Sequence, residues 1–191
     1  DRSLGTSARC FKFDFKMLSE GDTVIPARGM GTISRQLAAE LQAAGAIRLN
    51  TRVEALLSEA SRVCGAVLAD GSQLNADVVV VATPAPEAAR LTGLPTPTGH
   101  VGTTNLYFVG DRPLYRGKKL LLNAAPDAFV NNAVLLTNVA PSYAPPGAQL
   151  LSVTVLGVPA LDDTELAARA IADLRRMFAG DLAAQWALDG Y

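Results

Sequence analysis

The first place in this chain where residue types and spacing could do chemistry is a glycine-bearing loop at the mouth of a helix, Gly29-Met30-Gly31-Thr32-Ile33-Ser34. Its spacing, G-x-G-x-x-S, is a degraded form of the pattern in which main-chain N–H groups and a helix dipole meet a phosphate. Serine stands where the third glycine belongs, Val24-Ile25 is short for a preceding central strand, and Pro26 interrupts it. The strand after the helix also lacks an acidic end for a ribose hydroxyl, since Glu54 comes too late. The loop therefore reads as a glycine-permitted helix entry. Other chemistries leave less trace. His100 is the single histidine and follows Thr98-Gly99 in a loop. Neither Cys10 nor Cys64 has an activating neighbour, and no serine sits in a Gly-x-Ser-x-Gly elbow, which speaks against a hydrolytic triad. Asp70 and the pair Asp162-Asp163 form no ligand cluster, so no metal is expected.

Charge narrows the partners. With 17 Lys and Arg against 18 Asp and Glu, the net charge is −1, and there is no electrostatic case for nucleic acid or an anionic membrane. A hydrophobic content of 49% supports a substantial core, in one large domain or two small ones. No apolar run reaches the roughly twenty residues of a membrane helix, and Asp1-Arg2-Ser3 does not open a signal peptide. Two cysteines in no metal or redox spacing read as thiols in a reducing compartment, so a cytoplasmic location is expected. Opening without Met and ending on Trp186-Ala187-Leu188-Asp189-Gly190-Tyr191, the chain reads as cut from something longer.

The elements that must position any site follow from periodicity. Residues 6–19 fit a strand through Phe11, Phe13 and Phe15, and a helix through Ala8, Phe11, Phe15 and Leu18; with Ser7 or Thr6 as cap and Gly21 to close it, helix is the choice. Residues 31–44 form a second helix with Ile33, Leu37, Leu41 and Ala44 on one face, Thr32 as cap and Gly45 past the end. Strands are expected at Ile47–Leu49, Val53–Ser58, Val63–Leu68 and Gln73–Asn75, with Asp70-Gly71 as a hairpin turn. Asp77-Val78-Val79-Val80-Val81-Ala82-Thr83 shows no polar alternation, as in a parallel strand covered on both faces. A short helix is expected from Pro86 to Leu91. Pro95, Pro97 and Gly99 mark a boundary, after which Gly102–Val109, Lys119–Leu122, Ala133–Val139 and Leu150–Gly157 read as strands and Asp162–Ala179 as an amphipathic helix. The fold class is thus α/β plus α+β, the second part a mostly antiparallel sheet with packed helices.

These segments carry a resemblance. Pro26-Ala27-Arg28-Gly29-Met30, a helix, Ile47 to Val53, the Asp70-Gly71 hairpin and Ala76-Asp77 through Thr83-Pro84 together resemble the middle of the flavin-containing amine oxidase superfamily, which includes monoamine oxidases, protoporphyrinogen oxidases and phytoene desaturases. Members often carry Pro-x-Gly-Gly-Met before the helix; here Arg28 replaces the first glycine. Asn105-Leu106-Tyr107-Phe108, Leu121-Leu122-Asn123 and Asn138 through Gly147 resemble the substrate domain of bacterial FAD-dependent oxidoreductases.

The resemblance implies a division into a helical lead-in at 1–23 assigned to the substrate domain, part of a Rossmann-like FAD-binding domain at 24–93, and a substrate-binding domain at 94–191. It implies FAD in the parent protein, with Val53 beside the adenine end and Thr83 and Pro84 also near the cofactor. Val53 is equally readable as a plain core valine. The family's opening glycine fingerprint and closing flavin segment do not occur in this sequence, so the chain alone is expected neither to retain FAD tightly nor to turn over. Amine-oxidising members place a lysine on the first substrate-domain strand; here Thr104 or Asn105 falls there, and Lys118 and Lys119 come too late. Thr104, Asn105 and Tyr107 are the implied substrate contacts, and the missing lysine favours a desaturase-like or otherwise unusual, hydrophobic small-molecule substrate. A cut sheet would expose edges through which two copies could pair. The alternative is a noncatalytic binding or scaffold module of similar architecture.

Overall fold

The computed structural model describes residues 7–22, 24–97, 101–178 and 187–188; His100 and the end of the chain beyond Leu188 lie outside them. The helices are α1 (Ala8–Glu20), α2 (Gly31–Ala43), α3 (Ala85–Thr92), α4 (Leu136–Val139) and α5 (Asp163–Met177). The strands are β1 (Val53–Glu59), β2 (Arg62–Leu68), β3 (Gln73–Asn75), β4 (Thr103–Gly110), β5 (Leu120–Leu122), β6 (Val130–Leu135), β7 (Gln149–Leu156) and β8 (Ala187–Leu188). The chain divides into two compact units, Leu37–Val101 and a discontinuous one made of Asp1–Gln36 with Gly102–Tyr191.

In the unit Leu37–Val101, β1, β2 and β3 form an antiparallel sheet in chain order. The Asp70-Gly71 turn forms as expected: Gly71 takes φ 83°, and Ser72 donates from both its N–H and its hydroxyl to Asp70 Oδ1, at 2.9 and 2.6 Å. Gly45, at φ 67°, closes α2 as a C′ glycine should. Two expected strands are absent. Ile47–Leu49 is irregular because Asn50 takes the left-handed conformation at φ 54° and the Thr51 hydroxyl donates back to Leu49 O. Asp77–Thr83 forms no ladder, and Val78 and Val80 are 76% and 83% exposed rather than covered. A strand needs at least one neighbour to form a ladder, and the main chain of residues 78–83 finds no hydrogen-bond partner among the described residues.

The discontinuous unit is built on a five-stranded sheet, ordered β5-β6-β7-β4-β8 and antiparallel throughout. The β7 alternation read from sequence holds: Leu151, Val153 and Val155 are buried, while Ser152 and Thr154 face the other side half-buried. Phe108, Val130, Ala133, Leu135, Leu151 and Val153 from the sheet close a core with Ala170 and Leu174 of α5. Asp162 caps α5 by accepting from Glu165 N at 2.8 Å, and Arg175 and Arg176 occupy its last turn, where the dipole favours cations. Two details differ from the sequence reading. The strand expected to reach Val139 stops at Leu135 and turns into α4, because the Asn138 amide donates to the carbonyls of Tyr115 and Gly117 and the Thr137 hydroxyl donates to Gln149 Oε1. Thr32 does not cap α2 but lies inside it, its hydroxyl donating to Arg28 O at 3.1 Å. In α1, Ser7 caps as expected, but Phe11, Phe15 and Leu18 are all more than 60% exposed, so its apolar face covers nothing among the described residues.

One buried charge ties α5 to this sheet. Asp173, 1% exposed, accepts at Oδ2 from Phe129 N and Val130 N at 2.6 and 2.8 Å, and its Oδ1 pairs with Arg176. Burial works to raise its pKa, but the hydrogen bonds from Arg176, Val130 and Phe129 outweigh it and hold the carboxyl below the usual carboxylate range.

Candidate functional site

Each unit carries its own set of candidate residues. In the unit Leu37–Val101, Val53 begins β1 and is half-buried, while Thr83 and Pro84 are exposed. Pro84 starts α3 by accepting from Glu87 N and Ala88 N, each at 3.0 Å. What connects β1 to α3 is Arg90, a residue sequence reading passed over. Its guanidinium holds Glu87 through two bonds, Nε to Oε2 at 2.9 Å and Nη2 to Oε1 at 2.6 Å. It also donates to the main-chain carbonyls of Val53 and Glu54, at 2.9 and 2.6 Å. The hydrogen bond from Arg90 holds the Glu87 carboxyl below its usual range and raises the arginine correspondingly. The sequence signal was a Glu–Arg pair at i, i+3, which ordinarily marks a solvated helix face.

In the discontinuous unit the sheet has one face covered by α5 and one left open among the described residues. Strand alternation separates the expected substrate residues. Thr104 lies on the helix side, paired with the buried Val155, and its hydroxyl donates to Gly157 O at 3.0 Å. Asn105 and Tyr107 lie on the open side, opposite Thr154 and Ser152. Asn105 Oδ1 accepts from the Thr154 hydroxyl at 3.0 Å, and among the described residues neither the Asn105 amide NH2 nor the hydroxyl of Tyr107, 49% exposed, has a partner. Leu120 and Leu122 stand on the same face, 58% and 71% exposed, opposite Val134 and Asn132. This face therefore has polar side chains on β4 and an apolar margin three strands away on β5.

The loop before α2 belongs to this unit too. Gly29 takes φ 87°, and the first-turn amides are used locally, Thr32 N on Gly29 O and Ile33 N on Met30 O. Gly29 N is engaged as well, on Pro26 O, so of the loop's amides only Met30 N and Gly31 N lack an acceptor among the described residues. The loop is strapped from far along the chain: the Tyr143 hydroxyl donates to Pro26 O at 3.0 Å and the Ser142 hydroxyl to Ala27 O at 2.5 Å. Tyr143→Phe is expected to cost about 1 kcal/mol, the value of one neutral hydrogen bond, and to speed amide exchange in residues 27–30. Unchanged exchange in that loop would show the strap to be dispensable.

Among the described residues no group of three His, Cys, Asp or Glu side chains could hold a metal, and no helix is long and apolar enough to cross a membrane. The family described as flavin containing amine oxidoreductase matches residues 1–189. This chain belongs to that family. Similar folds are found among solved structures. An oxidoreductase from Methanosarcina mazei matches at a TM-score of 0.66 and 21% identity, over 84% of this chain and 40% of its own. A protein assigned as a protoporphyrinogen oxidase from Exiguobacterium sp. 255-15 matches at 0.59 and 18% identity, over 81% of this chain and 36% of its own. The chain thus spans well under half the length of either. Comparison with curated proteins gives no match.

Proposed function

We propose that this chain carries the middle of an FAD-dependent oxidoreductase acting on a small, apolar substrate, with residues 24–93 contributing part of a Rossmann-like cofactor domain and 94–191, with the lead-in 1–23, the substrate domain. The observation that supports it best is the open sheet face, where Asn105 and Tyr107 offer unengaged donors on a sheet that ends, three strands away, in the exposed leucines of β5. Membership of a flavin-containing family supplies the cofactor class. The residues present fit a flank of a dinucleotide and not its phosphate cradle. At the start of α2 the amides of Gly29, Thr32 and Ile33 are spent and Ser34 stands for the third glycine, whereas the main chain of residues 78–83 has no partner among the described residues and Thr83 is exposed. Val53 would lie beside the adenine end, with Thr83 and Pro84 also near the cofactor.

Bound FAD would supply the hydride acceptor. The chain's own part is positioning: Asn105 and Tyr107 orient the substrate on the open face, and Thr104, bonded to Gly157 O from behind, fixes the end of that strand. No lysine lies among residues 103–110 to hold a water, which favours a carbon–carbon or other non-amine oxidation. In the intact protein, anaerobic addition of an apolar substrate should bleach the flavin band, and Tyr107→Ala or Asn105→Ala should raise KM about tenfold, as expected for one lost hydrogen bond and its packing. An unchanged KM in both variants would overturn the substrate face. The isolated chain should elute colourless from gel filtration after incubation with FAD; stoichiometric yellow protein would contradict the partial site.

A further inference from the structure

We infer that Arg90 is the positioning residue for the adenine side of the cofactor, acting through the main chain of Val53 and Glu54; the inference rests on the cofactor reading above. In a regular strand, successive carbonyls point to opposite edges, so one side chain cannot reach both. Here the register shifts between Val53 and Ala55, which pair with Leu68 and Val67, so that Glu54 is an extra residue bulged out of the ladder. The bulge turns two consecutive carbonyls to one side, and a single guanidinium takes both, Nη2 on Val53 O at 2.9 Å and Nη1 on Glu54 O at 2.6 Å. Glu87 holds the other side of the same planar fork with two bonds. A lysine, with one nitrogen and no fork, could not make this set. Arg90 lies on α3, the helix that begins immediately after Thr83-Pro84. The same group thus fixes the segment proposed beside the adenine and the helix that follows the second segment proposed near the cofactor. The Val53 carbonyl keeps its second lone pair for an exocyclic amino donor.

The test is NMR titration of the 191-residue chain with FAD, AMP and FMN, following the Val53 amide and the Arg90 Nε–H signal alongside thermal melting. FAD and AMP should move both signals in the wild type with weak but saturable affinity, and FMN, which lacks adenine, should not. Arg90→Lys should weaken FAD and AMP binding about tenfold, the scale of a lost charged hydrogen bond. Glu87→Gln, which loosens the fork but leaves the main-chain bonds, should weaken it by less, and serves if the lysine variant does not fold. No perturbation of the wild type by FAD or AMP would overturn the cofactor reading itself. Wild-type binding that survives unchanged in both folded variants would overturn the role of Arg90 alone, leaving it a structural tie that shifts only the melting temperature.

Discussion

Replacing Asp173 by alanine should destabilise the discontinuous unit by roughly 3–5 kcal/mol, read as a lower urea midpoint at unchanged slope. The main loss is not the ion pair, because Arg176 is more than half exposed and a screened pair contributes little. It comes from stranding the N–H groups of Phe129 and Val130, which point at Asp173 Oδ2 at 2.6 and 2.8 Å where water does not reach. Asp173→Asn keeps an acceptor of the same size and should cost only about 1–2 kcal/mol, the difference between charged and neutral bonds. The sign with pH follows from the lowered pKa. The folded state holds the ionised form more tightly than the unfolded chain does, so the contribution is complete above the unfolded carboxylate pKa. It is lost as pH falls through the lower, folded value. The gap in stability between wild type and Asp173→Asn should therefore close in acid. A gap that persists or widens there would sink the assignment.

Gly65→Ala should unfold the three-stranded sheet while leaving the five-stranded one intact. A Cβ built on Gly65 would lie 2.0 Å from the Leu74 carbonyl oxygen and 3.1 Å from Asn75 Cα, all main-chain atoms that no rotamer change can move. Gly65 pairs with Asn75, so the strand that must yield is β3. Its departure leaves β1 and β2 as a two-stranded ribbon, which is marginal by itself. The expected cost is about 3 kcal/mol, the upper end for forced overpacking. Amide exchange resolves it: protection should vanish in residues 53–75 and persist in 103–110 and 149–156. Wild-type protection in β1–β3 would mean that the close approach is relaxed in solution.

What could be read in advance was what local chemistry decides. Asp70-Gly71 dictates its hairpin, Asp162 its helix start, and the alternation of Val153 and Val155 with Ser152 and Thr154 the covered side of the sheet. The failures all involve partners distant in sequence. Val78–Val81 has the composition of a buried strand, but composition cannot provide the neighbours, and among the described residues there are none. The strand expected through Val139 yields to side-chain hydrogen bonds from Thr137 and Asn138 that no periodicity reveals. Asn123, Asn138, Ser142 and Tyr143 had been quoted only as marks of resemblance. Each makes a bond across the fold, to Asp173, to the Tyr115 and Gly117 carbonyls, and to the loop at Pro26-Ala27. Asp173 was in principle visible, since a carboxylate three residues after Ala170 and four before Met177 interrupts the apolar stripe of α5. For the candidate site, alternation alone could have told Thr104 from Asn105 and Tyr107. The fork of Arg90 could not have been foreseen, because it depends on a bulge in another element.

The strap between Tyr143 and Pro26 spans 117 positions, and the whole of Leu37–Val101 is made between its two ends. At ribosomal speeds of about 5–20 residues per second, Pro26 waits roughly 6–23 s after its own synthesis before Tyr143 exists to hold it. During that interval the carbonyls of Pro26 and Ala27 in the glycine loop have no side chain from their own unit to hold them. Slow codons placed after residue 101 would lengthen the wait, and a chain that misfolds under them while tolerating slow codons before residue 26 would identify this pause as the vulnerable moment of its biogenesis.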